Sequence, residues 1–554
     1  LELCDIIYEH EAYRTENLLL LGAIHFQLRN FSESIFYNQQ CIKVDPNVAE
    51  AYSNLGNSLK ELGDMKAAVQ FYLKAIKMKP RFSDAYNNLA SAYTQLGQIT
   101  EAMETYHMAL VLNPGLADAH SNLGNLYKAQ GNLDASKKCY LEAIRIKPEF
   151  SIAWSNLGGV FKEEGQLATA ASYFKEAIRL CPEFADAHSN LGNIFKEQGD
   201  INNAINCYKT AIKLRPDFAI AHGNLASCYY EKKNLAEAIS SYKYAIQLEP
   251  NYPDAYNNLG NALRENQQID DAIQMYRSAL RLKPEHPHAY NNLGNALKDR
   301  GMIKEAIHCY VTSIRLHPKF SAAHSNLGSI LKEQGKLEQA LSHYQEAISI
   351  DPLFADAYSN MGNVYKELGR FDEAIKCYET SIRICPTFCD AYSNLAATFK
   401  DTGRPMEAIE HYAKALELRP NMGDAFANYV HTKNFVCDWT DREELFSRLS
   451  QQIQEQLGDY DSASASSHSG SNSLTIPSVQ PFHAIVYPLS MAEMQQIARR
   501  YAQKVKLNVS LTADGCHYSH RPKPHSVRMK SKWGHVWGSS TVVAYISYIY
   551  YMCD

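Results

Sequence analysis

Apolar and polar residues follow a helical pattern that restarts every 34 residues along most of the chain. In the stretch 49–62 the apolar positions are Tyr52, Leu55, Gly56 and Leu59. Their i, i+3, i+4 and i+7 spacing predicts one amphipathic helix. A second helix is predicted over 65–78. Its inner face carries Ala68, Tyr72, Ala75 and Ile76. Each period therefore predicts a pair of helices, here called the first and the second helix of a repeat.

Two kinds of residue separate these helices. Gly63 follows the first helix, where glycine adopts the left-handed conformation that ends a helix at little cost. Pro80 follows the second helix and cannot extend it, because proline lacks an amide hydrogen and clashes with the preceding turn. Proline recurs at this position every 34 residues up to Pro420. Lys233 and Gln267 replace the glycine in their repeats.

Residues 15–422 divide into twelve repeats of 34 residues. Gly56 and Ala68 allow close approach of the two helices, and Tyr72 fills the gap between neighbouring pairs. One pair cannot bury its own apolar face, so the repeats are expected to stack. The Trp/Tyr–Leu–Gly–Tyr–Ala–aromatic–Ala–Pro pattern closely resembles the tetratricopeptide repeat family. The resemblance implies an all-α fold, a right-handed superhelical solenoid.

The flanking segments lack this period. Residues 1–14 are interpreted as part of a preceding helix. A thirteenth first helix and a capping helix are predicted over 423–458. The stripe of the capping helix consists of Leu445, Leu449, Ile453 and Leu457. A Ser-rich linker is predicted over 459–475, a helix-containing segment over 476–505, and a divergent tail over 506–554.

Composition narrows the classes of partner and site. The net charge is −5 without a basic run, which argues against nucleic acid. No apolar run reaches the ~20 residues that a membrane span needs, so no membrane is expected. Four cysteines share one repeat position: Cys139, Cys207, Cys309 and Cys377. They are predicted to be small buried apolar residues, so neither a metal site nor a disulfide framework is expected.

One asparagine per repeat recurs on the side of the first helix opposite its packing face. On a wheel of ~100° per residue, Asn54 lies about 200° from Tyr52. The set, here called the amide ladder, comprises Asn54, Asn88, Asn122, Asn156, Asn190, Asn224, Asn258, Asn292, Asn326, Asn360, Asn394 and Asn428. An amide side chain accepts and donates at once, so it can bind both the N–H and the C=O of a peptide bond. The ladder predicts binding of extended polypeptide through its backbone.

A carboxylate stands one helical turn before most ladder residues, at what is here called the carboxylate position. The aspartates are Asp84, Asp118, Asp186, Asp254, Asp356, Asp390 and Asp424, with Glu50 in the second repeat. Ile152, Ile220, His288 and Ala322 interrupt the series. The aspartates are expected to select Ser, Thr, Lys or Arg side chains of the ligand. In the alternative interpretation, the asparagines bond only to neighbouring first helices and adjust stacking. A recurring lysine (Lys60 and its equivalents) is expected to be a solvated charge beside the ladder.

The ladder within a long repeat array, followed by Val-Cys-Asp-Trp-Thr at 436–440 and Pro-Ser-Val-Gln-Pro at 477–481, resembles one family. It is similar to the nucleocytoplasmic O-linked N-acetylglucosaminyltransferases over about residues 1–505. In that family the repeats present intracellular proteins to a catalytic region that transfers N-acetylglucosamine from UDP-GlcNAc to Ser or Thr. The resemblance implies that 476–505 begins this α/β region, that the ladder contacts the substrate backbone, and that the protein occurs in nucleus and cytoplasm.

The catalytic motifs of that family are missing from this sequence. Its Val-Gly-Tyr-Val-Ser-Ser-Asp-Phe segment and its Asn-His-Pro histidine do not occur, and neither His483 nor His520 is assigned a catalytic role. Only a short remnant of the α/β region is expected, without a UDP-GlcNAc site or transfer activity in this chain alone. Two functions remain open: the substrate-recognition part of a transferase, or a non-enzymatic scaffold or peptide-binding adaptor.

Overall fold

The described part of the chain is built from α-helices. A computed structural model describes residues 14–463, 478–479, 493–494, 496–497 and 500–501. Every element in these ranges is an α-helix, and none of these residues lies in a strand. The chain divides into two compact units, one ending at Pro284 and one beginning at Glu285. The all-α prediction is confirmed for the part described.

The predictions for 1–13, for nearly all of 464–505 and for the tail 506–554 lie outside the described residues. The α/β remnant is among them, and the side chain of Leu457, which was predicted to belong to the capping stripe, also lies outside what the structure describes.

The N-terminal unit contains eight helical pairs. They are α1 (Thr15–Gln27), α2 (Phe31–Val44), α3 (Ala49–Glu61), α4 (Met65–Met78), α5 (Ser83–Gln95), α6 (Ile99–Leu112), α7 (Ala117–Ala129), α8 (Leu133–Ile146), α9 (Ser151–Glu163), α10 (Leu167–Leu180), α11 (Ala185–Glu197), α12 (Ile201–Leu214), α13 (Ala219–Glu231), α14 (Leu235–Leu248), α15 (Pro253–Glu265) and α16 (Ile269–Leu282).

The described part of the C-terminal unit contains four further pairs and a terminal pair. They are α17 (Pro287–Asp299), α18 (Ile303–Leu316), α19 (Ser321–Glu333), α20 (Leu337–Ile350), α21 (Ala355–Glu367), α22 (Phe371–Ile384), α23 (Cys389–Asp401), α24 (Pro405–Leu418), α25 (Gly423–Phe435) and α26 (Arg442–Ala463).

The two helices predicted over 49–62 and 65–78 begin and end within one residue of the observed α3 and α4. Gly63 has φ +88°, so the chain turns left-handed directly after α3. Asp64 then caps α4 by accepting a hydrogen bond from the Ala67 amide at 3.0 Å. Lys233 and Gln267 adopt φ 60° and 62° at the glycine position. The turn is therefore imposed by the repeat even where no glycine favours it.

The core of each repeat consists of small residues around one aromatic ring. Tyr72, Ala68 and Ala75 are completely buried. A Cβ added to Gly56 would lie 2.7 Å from the Tyr72 ring, closer than any real contact allows. The predicted close approach and the predicted filling role of Tyr72 are confirmed. The second helix of one repeat also packs on the first helix of the next, so each unit has a continuous core.

The predicted capping helix α26 covers the last first helix. Leu449 and Ile453 are buried against Phe426 and Val430 of α25. The helix extends through Ala463, into the range predicted as linker, because adding residues to an existing helix costs far less than nucleating one. Ser478 lies against it, donating its amide hydrogen to Gln456 Oε1 at 2.9 Å.

Candidate peptide-binding site

The amide ladder lies on the first helices, from α3 in the N-terminal unit to α25 in the C-terminal unit. Within each unit, most first helices contact the first helix of the next repeat directly. All twelve ladder asparagines are half-buried, neither packed in the core nor fully in water. The predicted opposition to the packing face explains this, since Leu55 and Gly56 of α3 are buried while Asn54 is not. Each unit thus presents a row of amides across adjacent helices.

A second row of asparagines, three residues after the ladder, was missed by the sequence analysis. Its members are Asn57, Asn125, Asn193, Asn261, Asn295 and Asn363. Each accepts a hydrogen bond from the buried tyrosine of its own repeat, at 2.6–2.8 Å. Burial raises the pKa of Tyr140 to about 12, so its hydroxyl stays protonated and donates. The constant 15-residue spacing to the tyrosine was the signal that could have revealed this row.

Three ladder amides bond to this second row in the preceding repeat. Asn88 Nδ2 donates to Asn57 Oδ1 at 3.0 Å, Asn156 to Asn125 at 3.2 Å and Asn224 to Asn193 at 3.1 Å. These contacts are the stacking role that the alternative interpretation proposed. They use one N–H of each ladder amide and leave its Oδ1 without a hydrogen bond to any described residue. Stacking thus orients these amides without exhausting their bonding capacity.

The other ladder residues differ in how they are held. The side chains of Asn54, Asn190, Asn360 and Asn394 make no hydrogen bond to the described part of the chain. Asn326 Nδ2 donates to Asn291 Oδ1 at 2.9 Å. Asn428 accepts from Lys400 Nζ at 3.0 Å and donates to the Asp424 carbonyl at 2.9 Å. The amide of Asn428, the last member of the ladder, therefore already donates and accepts hydrogen bonds within the chain.

The carboxylate position divides into exposed and paired members. Asp84, Asp118, Asp254, Asp356 and Asp424 are exposed, whereas Asp186 and Asp390 are half-buried. Asp186 forms an ion pair with Arg215, and Asp390 accepts from Arg419 Nη1 at 3.4 Å. Glu50 is paired with Lys79 at 2.7 Å, and this contact lowers the pKa of the Glu50 carboxyl. In these three repeats, a basic residue directly after the second helix therefore neutralises the carboxylate of its own repeat.

The lysine row beside the ladder was predicted to be solvated, and this prediction is wrong. Lys128, Lys162 and Lys298 form ion pairs with a carboxylate of the next first helix, at 2.9–3.0 Å. Lys60 instead donates to Ser91 Oγ of the next repeat at 2.8 Å, and burial lowers its pKa. Stacking places each lysine beside a residue about 30 positions further along the chain. The row therefore links neighbouring repeats, and its lysines are not simply solvated charges.

The four repeat-position cysteines differ in how deeply they are buried. Cys309 and Cys377 are buried, whereas Cys139 and Cys207 are half-buried and so only partly match the prediction. Burial raises the pKa of the Cys139, Cys207 and Cys377 thiols to about 11. No group of three or more potential metal ligands occurs among the described residues, and none of the described helices is long and apolar enough to cross a bilayer.

Comparison with known families identifies the repeats. Models described as "TPR repeat" match residues 90–131 and, through overlapping matches, 158–369. Models described as "Tetratricopeptide repeat" match 15–48, 49–82, 71–104, 117–150, 355–388 and 389–422. Together these matches cover well over half of the chain and coincide with the helical pairs.

Two curated relatives share a short similar stretch with this chain. A probable UDP-N-acetylglucosamine–peptide N-acetylglucosaminyltransferase of Arabidopsis thaliana is 44% identical over 73 residues, 13% of this chain and 8% of the relative. The enzyme of the same name from Caenorhabditis elegans is 45% identical over 65 residues, 12% of this chain and 6% of the relative. The match thus spans less than a tenth of either relative's length.

Among solved structures, the Cut9–Hcn1 hetero-tetramer of the APC/C aligns with a TM-score of 0.46 and 16% identity, covering 76% of this chain and 96% of that one. The family models and the helical pairs they coincide with carry the assignment. Over a short stretch the chain is similar to two UDP-N-acetylglucosamine–peptide N-acetylglucosaminyltransferases, and it belongs to the tetratricopeptide repeat family.

Proposed function

We propose that the amide ladder binds extended or disordered segments of intracellular proteins by their backbone. The main supporting observation is the row of half-buried amides that each unit presents on its adjoining first helices, many of them with hydrogen-bonding groups left over after stacking. Half-burial strengthens a hydrogen bond to a ligand relative to one made in open water. Because every peptide unit offers the same N–H and C=O, this mode of binding is largely independent of ligand sequence.

We further propose that this array is the substrate-recognition part of a protein O-GlcNAc transferase of the nucleus and cytoplasm. The support is the relationship to the two peptide N-acetylglucosaminyltransferases together with a ladder suited to extended acceptor segments. The repeats themselves contribute binding and positioning. UDP-GlcNAc would be held by a catalytic region and not by the amide ladder.

Backbone binding is tested with the ladder residues that have no internal hydrogen bond. In an N190A/N360A/N394A variant, a fluorescein-labelled disordered peptide should bind about 10-fold more weakly, since each lost neutral hydrogen bond is worth roughly 0.5–1.5 kcal/mol. Fluorescence anisotropy gives the affinity, and circular dichroism should show an unchanged Tm. N206A, an exposed asparagine on the second helix α12, is the matched control. Unchanged peptide affinity in the triple variant would refute the proposal.

The transferase assignment is tested by competition. Excess chain should inhibit O-GlcNAc transfer by the full-length Caenorhabditis elegans enzyme to a protein acceptor, because both would bind the same extended segments. The N190A/N360A/N394A variant should inhibit less. A chain that binds disordered peptides without inhibiting transfer would instead be an adaptor with other ligands.

A further inference from the structure

Two isoleucines interrupt the carboxylate position in the N-terminal unit. Ile152 of α9 and Ile220 of α13 stand where other repeats carry aspartate, one turn before Asn156 and Asn224. Their side chains are 48% and 49% exposed. Inside the described first helices, the other exposed large apolar side chains are Leu20 and Phe435. Exposed aliphatic residues are thus rare on these helices, and two of them occupy one position two repeats apart.

Between the two isoleucines, the carboxylate position carries an aspartate whose charge is neutralised. Asp186 holds the carboxylate position of the intervening repeat, and its charge is balanced by Arg215. Repeats five to seven therefore present an aliphatic side chain, a neutralised ion pair and a second aliphatic side chain. By contrast, Asp118 in the preceding repeat is exposed and forms no ion pair with a described residue. The side chain at this position thus changes along the unit from an exposed carboxylate at Asp118 to exposed aliphatic groups at Ile152 and Ile220.

The amides beside both isoleucines are held in place. Asn156 and Asn224 each donate to an asparagine of the preceding repeat, at 3.2 and 3.1 Å. A peptide backbone bound to these amides would pass within one helical turn of each isoleucine. Each isoleucine is an isolated apolar point in a polar row, which suits single side chains of an extended peptide better than the broad surface of a second folded copy.

From this geometry we infer that repeats five to seven select ligand segments carrying two apolar side chains. The inference rests on the proposed function, since it requires a peptide along the ladder. Packed helices lie ~8–10 Å apart, so two repeats span roughly 16–20 Å. An extended chain covers about 3.3–3.6 Å per residue, so the two apolar side chains are spaced about five to six residues apart. Ile152 and Ile220 are the specificity-determining residues of this segment.

The experiment compares disordered peptides that differ only at two positions five residues apart. One carries leucine at both positions, one serine and one lysine. The wild-type chain should bind the leucine peptide about 10-fold more tightly than the serine peptide, since burying half an isoleucine surface twice removes substantial apolar area from water. The I152D/I220D variant should lose this preference and favour the lysine peptide. Aspartate occupies this position in other repeats, so the variant is expected to fold.

The control is L141D, which places the same substitution on the second helix α8 at a leucine that is 49% exposed. It should retain the leucine preference. Equal affinity of the wild-type chain for the leucine and serine peptides would overturn the inference, as would a preference that survives in I152D/I220D. If light scattering shows a dimer that I152D/I220D dissolves without any change in peptide preference, the isoleucines serve self-association and the inference is wrong.

The two proposals fail in different ways. The serine peptide reports the backbone contacts alone, so its affinity should fall in N190A/N360A/N394A and stay constant in I152D/I220D. If N190A/N360A/N394A weakens binding of the serine peptide but I152D/I220D keeps the leucine preference, only the inferred apolar selectivity is wrong. Serine-peptide affinity that the asparagine variant leaves unchanged would remove the backbone-binding proposal and this inference with it.

Discussion

Gly294 shows how one absent methyl group fixes the distance between two helices. A Cβ at this residue would lie 2.6 Å from the ring of Tyr310, a fully buried side chain. At Gly328 in the next repeat, the same Cβ would lie 3.1 Å from Tyr344, a distance that shifts of a few tenths of an ångström relieve. Ala90, Ala226 and Ala396 occupy this position in other repeats, so helix spacing adapts to the residue present.

Alanine substitution at these two glycines should distinguish the cost of steric strain against the tyrosine ring from the gain in helix propensity. Overpacking costs about 1–3 kcal/mol, whereas replacing a helical glycine by alanine gains about 1 kcal/mol. G294A should therefore lower the free energy of unfolding by roughly 1 kcal/mol, while G328A should be near neutral. Urea denaturation of both variants gives the comparison. Equal destabilisation by the two would show that the ring distance does not control the cost.

At the scale of the element, stacked first helices are joined by hydrogen bonds as well as by packing. Asn193 Oδ1 accepts from the Tyr208 hydroxyl at 2.7 Å and from Asn224 Nδ2 at 3.1 Å. One amide oxygen thereby links the second helix of its own repeat to the first helix of the next. The ion pairs of the lysine row run between the same helices, but pairs this close to solvent contribute little, typically 0–1 kcal/mol.

Three alanine variants should rank by how much bonding they remove from this link. N193A leaves the buried Tyr208 hydroxyl without its acceptor and should cost about 1–3 kcal/mol. N224A removes one half-buried donor and should cost roughly 0.5–1.5 kcal/mol. N190A removes no hydrogen bond to a described residue and should leave the Tm unchanged. If N190A proved as destabilising as N193A, the bonded amides would have no special part in stacking.

At the scale of the whole molecule, half-buried histidines couple stability to pH. Burial lowers the pKa of His343, His411 and His431, all in the C-terminal unit, and the neighbouring His324 imidazole lowers that of His343 further. The carboxylates of Glu346, for His343, and of Glu407 and Glu410, for His411, act in the opposite direction but are the smaller effect. The folded state therefore favours neutral imidazoles at these three positions.

Stability should fall as the pH drops below about 6.5, the ordinary pKa of histidine. The unfolded chain takes up protons there that the folded chain binds only at lower pH, so protonation favours unfolding. The Tm should be lower at pH 5.5 than at pH 7.5, a range above the titration of most carboxylates. In H343Q/H411Q/H431Q the difference between the two Tm values should shrink, whatever the absolute stability. An unchanged difference would assign the pH effect to other groups.

The sequence by itself determined the repeat length, the bounds of the paired helices, the left-handed residue after Leu62 and the buried position of Tyr72. These features depend on residues within one turn or one helical pair, where periodicity, glycine and proline act locally. The peptide-binding role of the ladder stays a prediction that the geometry supports.

Only the tertiary structure decided which polar side chains meet across repeats. The link from Asn57 to Asn88 and the contact of Lys60 with Ser91 each join residues 31 positions apart. Whether such side chains meet depends on how two helices are offset when they stack, and no local pattern encodes that offset. For the same reason the sequence located Ile152 and Ile220, but only stacking showed that both remain half exposed beside fixed amides.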